Sequence, residues 1–237
     1  MLIKGLQKLT LLDFPDKMAC TVFTFGCNFR CPFCHNASLV LSERADDTSI
    51  SEEELFSFLK KRKGILQGVC VTGGEPTLMP DLAAFLAKIK DMGYAVKLDT
   101  NGARPAVLRA LVEAGLVDYV AMDVKNSLPR YGETVGIPEL DTAPIEESMD
   151  YLMAGHVPCE FRTTLVRGLH TAEDIRAIGE RLRGEERFFL QTFEDSGDLI
   201  AGESLAGESL GAFDSAETSA FLAILRTYIP NAQIRGD

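Results

Sequence analysis

The sequence predicts an α/β protein, a partial (β/α)6 TIM-like barrel with an N-terminal extension, and three observations predict it. From Met18 onward short apolar runs alternate with longer amphipathic segments, the rhythm of βα units that build a parallel sheet. About six such units can be counted, too few to close an eight-stranded barrel. Polar and glycine-rich motifs come directly after the apolar runs, where ligands gather at the C-terminal ends of parallel strands.

Residues 1–17 stand before the first unit as the extension. The predicted strands are Met18–Phe25, Gly68–Thr72, Tyr94–Thr100, Val117–Lys125, Val157–Val166 and Arg187–Phe193, each rich in Val, Phe, Leu or Thr. A helix follows each of them. The first opens at Ser51-Glu52-Glu53-Glu54, where Ser51 and Glu54 form a capping box that satisfies orphan backbone N–H groups, and it runs towards Lys63-Gly64. The others cover about Asp81–Met92, Arg104–Ala114, Ala143–Ala154, Ala172–Arg183 and Asp214–Tyr228. Two stretches break the rhythm. Leu128–Asp141 carries Pro129, Gly132, Gly136 and Pro138 and reads as a loop near the barrel mouth. Residues 194–213 hold the tandem Ala201-Gly202-Glu203-Ser204-Leu205 and Ala206-Gly207-Glu208-Ser209-Leu210, and read as a flexible mouth loop, either a connector or a lid facing a partner.

With 237 residues, 46% of them hydrophobic, the chain can bury one substantial core, so a single domain over residues 1–237 is expected. The opening MLIKGLQKLTLLDFPDK has neither a signal-peptide core nor an apolar run long enough for a membrane span, which predicts a cytoplasmic protein with no membrane partner. A net charge of -11 and the lack of clustered Lys and Arg leave no face for a phosphate backbone, so no nucleic-acid partner is expected. Six cysteines without an export signal point to metal ligation, catalysis or burial rather than to disulfides. Cys20, Cys70 and Cys159 fall in or beside apolar strand runs and read as small hydrophobes.

The other three stand in Gly26-Cys27-Asn28-Phe29-Arg30-Cys31-Pro32-Phe33-Cys34-His35-Asn36. The C-x3-C-x2-C spacing brings three thiolates onto one loop, where they can ligate three corners of a cubane cluster and leave the fourth iron open to a ligand. The competing reading is a non-enzymatic zinc-binding module with His35 as fourth ligand, but His35 directly follows Cys34 and would strain a tetrahedral site. Other strand ends are also polar. Thr72-Gly73-Gly74-Glu75-Pro76 puts a carboxylate after two glycines that let the backbone approach a ligand. Asp99 and Asn101 share one strand face, as do Asp123 and Lys125, and these groups read either as a polar-ligand site or as salt bridges with Lys97 available. Arg162, inside the fifth strand, calls for an anion, with Glu160 on its own face as the plain alternative.

The cysteine spacing, with the aromatic Phe33 before the last cysteine, closely resembles the radical S-adenosylmethionine (SAM) superfamily. The resemblance implies that Cys27, Cys31 and Cys34 hold an oxygen-sensitive [4Fe-4S] cluster and that SAM chelates its open iron through amino and carboxylate groups. One electron from the reduced cluster then splits the sulfonium to methionine and a 5′-deoxyadenosyl radical. It further implies that backbone around Phe33 lies against the adenine, that Gly73, Gly74 and Glu75 form the family's Gly-Gly-Glu motif for the SAM amino group, and that Arg162 lies near SAM.

Asp99-Thr100-Asn101-Gly102, Asp123-Val124-Lys125 and Cys34-His35-Asn36 resemble one branch, the glycyl-radical-enzyme activating enzymes. The opening Gly5–Pro15 is similar to activating proteins of anaerobic ribonucleoside-triphosphate reductases of the longer type. This branch implies a protein substrate, a glycyl radical enzyme from whose glycine hydrogen is abstracted, and a low-potential electron donor such as flavodoxin or ferredoxin. It also implies a small monovalent cation held by Asp99 and Asp123 beside the SAM carboxylate. One departure is the last strand, Phe188–Phe193, which lacks the histidine of formate-lyase activators and has Gln191 available instead; His156 and His170 read as ordinary loop or helix-end residues. The alternative within the superfamily is an enzyme acting on a small molecule, similar to 7-carboxy-7-deazaguanine synthase. An acidic donor would need a local basic patch, for which Lys60, Lys61, Arg62 and Lys63 are the candidates.

Overall fold

The computed structural model describes residues 1–41, 49–195, 197–200 and 210–235. Its frame is one eight-stranded sheet in sequence order: β1 (Ile3–Thr10), β2 (Ala19–Thr24), β3 (Gly68–Gly73), β4 (Ala95–Thr100), β5 (Tyr119–Asp123), β6 (Cys159–Leu165), β7 (Phe188–Thr192) and β8 (Gln233–Arg235). Strands β2 to β7 are the six predicted from apolar runs, and they pair in parallel. The extension is itself a strand: β1 pairs antiparallel with β2, and the short β8 adds in parallel to β7. Among the described residues β1 and β8 do not pair, so the sheet curls without closing, while one cavity touches Gln7 on β1 and Arg235 on β8.

The helices are α1 (Ala37–Val40), α2 (Glu52–Lys61), α3 (Leu82–Asp91), α4 (Pro105–Glu113), α5 (Tyr131–Thr134), α6 (Ala143–Met153), α7 (Ala172–Arg181) and α8 (Ser215–Arg226). α2 starts at the expected capping box: Glu54 N–H donates to Ser51 Oγ and Ser51 N–H to Glu54 Oε2. Three acidic residues in its first turn and Lys60 and Lys61 in its last suit the helix dipole. Thr171 with Asp174 and Asp214 with Glu217 cap α7 and α8 in the same way.

Side chains alternate across each strand, and the two faces differ in chemistry. Val22, Val69, Val71, Val96, Leu98, Val120, Met122, Phe161 and Leu190 face the helices and form the main core, fully buried. Each contributes roughly 1.5–3 kcal/mol by leaving water. The other parity lines the lumen and is largely polar: Thr21, Thr72, Lys97, Asp99, Asp123, Glu160, Arg162 and Gln191. Phe14, from the β1–β2 turn, stops the lower end of this lumen with Ala19, Cys70 and Tyr119. Gly68 must be glycine there, because a Cβ would stand 2.7 Å from the Phe14 ring.

The basic run Lys60 to Lys63 ends α2 and leads through the Lys63–Leu66 bridge into the start of β3. Gly68 pairs with Ala19, whereas the cysteine loop follows Thr24, six residues and about 20 Å up the strand. A parallel βα unit returns its helix to the strand starts, so this run lies at the end of the sheet away from the thiols and does not form the donor patch expected of it.

Candidate active site

The cysteine loop leaves β2 through Gly26, whose φ of 88° only glycine adopts freely, and is anchored at once. Gly26 N–H donates to Leu39 O, and Glu75 N–H donates to Gly26 O at 2.8 Å. Phe29 N–H donates to Cys27 Sγ at 3.3 Å, and Asn101 Nδ2 donates to Asn28 Oδ1 at 2.8 Å, tying the loop to the end of β4. The Leu128–Asp141 stretch, expected to be loop, contains a 3-10 turn (Leu128–Arg130) and α5, and it packs on the cysteines. Arg30 N–H donates to Val135 O, a Cβ on Gly136 would meet Arg30 O at 2.5 Å, and the Phe29 and Tyr131 rings lie 6.4 Å apart. Buried Tyr131 donates to Asp123 O and accepts from Lys125 N–H.

All six cysteines are free. Cys27, Cys31 and Cys34 line one cavity of about 550 Å³, together with Gly73, Gly74, Asp99, Asp123, Lys125 and Arg162. That volume lies in the range of small-molecule sites. Burial pushes the thiols up, Cys27 to about 11 and Cys31 to about 12, while the Lys125 ammonium pulls all three back down. Metal binding must therefore displace protons, with Lys125 favouring the thiolates. Among the described residues no three His, Cys, Asp or Glu side chains are placed to hold one metal ion, and His35 is exposed beside Cys34. Three free thiols lining one cavity fit a cluster in which each takes a separate iron.

Gly73 and Gly74 sit against backbone before any ligand is considered. A Cβ on Gly73 would meet Thr24 N at 2.3 Å, and one on Gly74 would meet Gly26 O at 2.0 Å. Glu75 is buried, and its carboxylate accepts from Thr77 N–H and Oγ1, from Thr100 Oγ1 at 2.8 Å, and from Asn101 N–H at 2.7 Å. Burial raises its pKa despite these donors. Its first work is thus to clamp the end of β4 to the end of β3.

The charged residues form a chain of ion pairs across the lumen. Lys97, fully buried, bonds Asp99 Oδ1; Arg162 bonds Asp99 Oδ2 at 3.1 Å and Asp123 Oδ1 at 2.9 Å; Lys125 bonds Asp123 Oδ2 at 3.0 Å. Burial alone would raise both aspartates, yet Arg162 with Lys97 holds Asp99 below the usual carboxylate value, and Arg162 with Lys125 holds Asp123 well below it. Burial would lower Lys125 and Arg162, and Asp123 above all holds both well above their usual values. The plain alternative for Arg162 is not what forms: Glu160 accepts instead from Tyr119 and Arg235.

His170 carries more than an ordinary helix-end residue. It is buried, its Nδ1 accepts from Val166 N–H at 3.1 Å and its Nε2 lies 2.9 Å from Lys125 O, so the sequence reading missed a support of the Asp123-Val124-Lys125 segment. His156 stacks on Tyr151, away from the site. Gln191 lines the cavity, as does Phe33. The beginning of the 194–213 stretch reaches α1, where Ser38 N–H donates to Asp198 Oδ2; its tandem repeat, apart from the last residue Leu210, lies outside the described residues.

A sequence profile described as "Radical SAM superfamily" matches residues 21–182. A Methanocaldococcus jannaschii protein named as a glycyl-radical enzyme activating enzyme is 33% identical over 198 residues, 81% of this chain and 80% of that one. A Thermococcus kodakarensis protein named as a GTP 3′,8-cyclase is 32% identical over 63% of this chain and 48% of its own length. Among solved structures, a radical SAM methyltransferase from Sphaerobacter thermophilus superposes with a TM-score of 0.71 at 16% identity, covering 96% of this chain and 68% of that one. SuiB of Streptococcus suis, bound to its precursor peptide SuiA, gives 0.68 at 15% identity over 92% of this chain and 48% of its own. These likenesses show the fold.

Proposed function

The chain belongs to the radical SAM superfamily, and from that premise we propose that it is a glycyl-radical-enzyme activating enzyme. In this reading Cys27, Cys31 and Cys34 hold a [4Fe-4S] cluster, and SAM occupies the cavity they line, with Phe33, Gly73, Gly74 and Glu75 on one side and Asp99, Asp123, Lys125 and Arg162 on the other. When bound, cluster and SAM supply the electron and the carbon radical that take hydrogen from the α-carbon of a glycine in a partner enzyme. The chain itself positions them. The observation that carries the reading is one cavity lined both by three free thiols and by the Lys125 and Arg162 cations, which are ion-paired with Asp123 and Asp99. Two cationic donors at the cavity wall suit the carboxylate of an amino-acid-like ligand.

The lumen side offers orientation rather than proton transfer: Asp99 and Asp123 stay ionised and Lys125 and Arg162 stay protonated across the neutral range. Support for a protein substrate comes from the relative named for glycyl-radical enzyme activation. An oxygen-poor cytoplasm suits the cluster, and among the described residues no helix is long and apolar enough to cross a membrane. The test is anaerobic. Reconstituted protein is expected to carry about four irons per chain, to form 5′-deoxyadenosine on reduction, and to leave a glycine-centred signal in electron spin resonance on the large partner recovered with it. One zinc and no iron, or turnover of a small substrate with no protein partner, would overturn it.

A further inference from the structure

The four carboxylate oxygens of Asp99 and Asp123 are all occupied by nitrogen donors. Lys97 takes Asp99 Oδ1, Arg162 takes Asp99 Oδ2 and Asp123 Oδ1, and Lys125 takes Asp123 Oδ2. A hard monovalent ion needs oxygen ligands in number, so placing one between the two aspartates would require these bonds to break. It would also be repelled by Lys97, Arg162 and Lys125, the cations that already pair with these two aspartates. Lys97 is the member least able to give way, since its side chain is 0% exposed. Withdrawing it would leave the buried Asp99 charge, among the described residues, to Arg162, which is shared with Asp123.

We propose that Lys97 and Arg162 stand in the place of a monovalent cation beside Asp99 and Asp123, so that this enzyme binds SAM without one. The inference rests on the SAM reading of the cavity and makes Lys97 a positioning residue, acting on the ligand through Asp99. Two consequences separate it from a simple structural lysine. Affinity for SAM does not depend on which salt is present, and removing the Lys97 charge creates a cation requirement that the wild type lacks.

The experiment measures SAM binding by equilibrium dialysis against anaerobically reconstituted full-length protein in sodium, potassium or tetramethylammonium chloride at equal ionic strength. Wild-type affinity is expected to agree within about twofold across the salts, while Lys97→Met loses about tenfold in tetramethylammonium and regains most of it in sodium or potassium. Iron content and a melting curve accompany each variant. Should Lys97→Met fail to fold, Lys97→Arg, which keeps the charge, is expected to bind with the wild type's indifference to salt. A wild-type loss of about tenfold in tetramethylammonium, a salt-dependent Lys97→Arg, or a folded Lys97→Met that binds equally in all three salts would overturn the inference. A wild type with full iron that binds SAM in none of them would overturn the SAM reading itself, and this inference with it.

Discussion

His170 engages both ring nitrogens with backbone, and one of those partners, Lys125 O, lies 45 positions away in the sequence. Because Nδ1 accepts and Nε2 faces a carbonyl, the neutral Nε2–H tautomer fits, and burial holds the pKa below the ordinary 6.5. The unfolded chain takes up a proton near that ordinary value and the folded one only at lower pH. The stability this residue contributes is therefore fully present above the unfolded value and is lost as pH falls through the folded one. The melting temperature of the wild type is expected to drop more steeply than that of His170→Gln between about pH 7 and 5. Equal slopes would remove the histidine as the cause. The cysteines, Asp99, Asp123 and Arg162 were legible because charged or thiol groups at strand ends are rare without a use. His170 was not, because its partners are backbone atoms, which leave no mark in residue types; Lys97 was visible only as an available charge.

The paired glycines at the end of β3 have a packing reason that the sequence did not show. They were read as making room for a ligand, yet their missing Cβ atoms first admit the backbone of Thr24 to Gly26 from the neighbouring strand. Gly74→Ala would put a methyl carbon 2.0 Å from Gly26 O, and because both sides are backbone something must move. Overpacking of this kind costs roughly 1–3 kcal/mol, and here it pries up the base of the cysteine loop. Iron per chain after reconstitution is expected to fall together with the melting temperature, whereas a role limited to SAM would leave both unchanged and weaken only SAM binding. The six parallel strands and their helices were legible from period and caps. β1 was not, since residues 1–17 lack clean alternation and pair only through a register broken at Gly5 and before Thr10. β8 is three residues long, too short for any pattern to show.

The molecule carries a net charge of -11 and yet gathers Lys97, Arg162 and Lys125 around two lumen aspartates, so its bulk sign says little about what its site attracts. Partial closure was legible from the count of units; the position of the basic run was not, because a helix's direction relative to the sheet emerges only from the topology. The same topology puts the Phe14, Ala19, Cys70 and Tyr119 stopper at the strand starts and the thiols beyond the strand ends. A lumen plugged at the bottom has its rim as the common approach. Under the activase reading, an electron donor and the glycine of the partner both need that rim, and they compete for it. Cluster reduction by a flavodoxin-type donor, followed in a stopped-flow spectrometer, is expected to slow as the partner is raised to saturation; a rate indifferent to partner would mean a separate route to the iron. Under that reading the aromatic stopper does more than fill space: it turns activation into a queue, in which charging must be finished before the next customer is served.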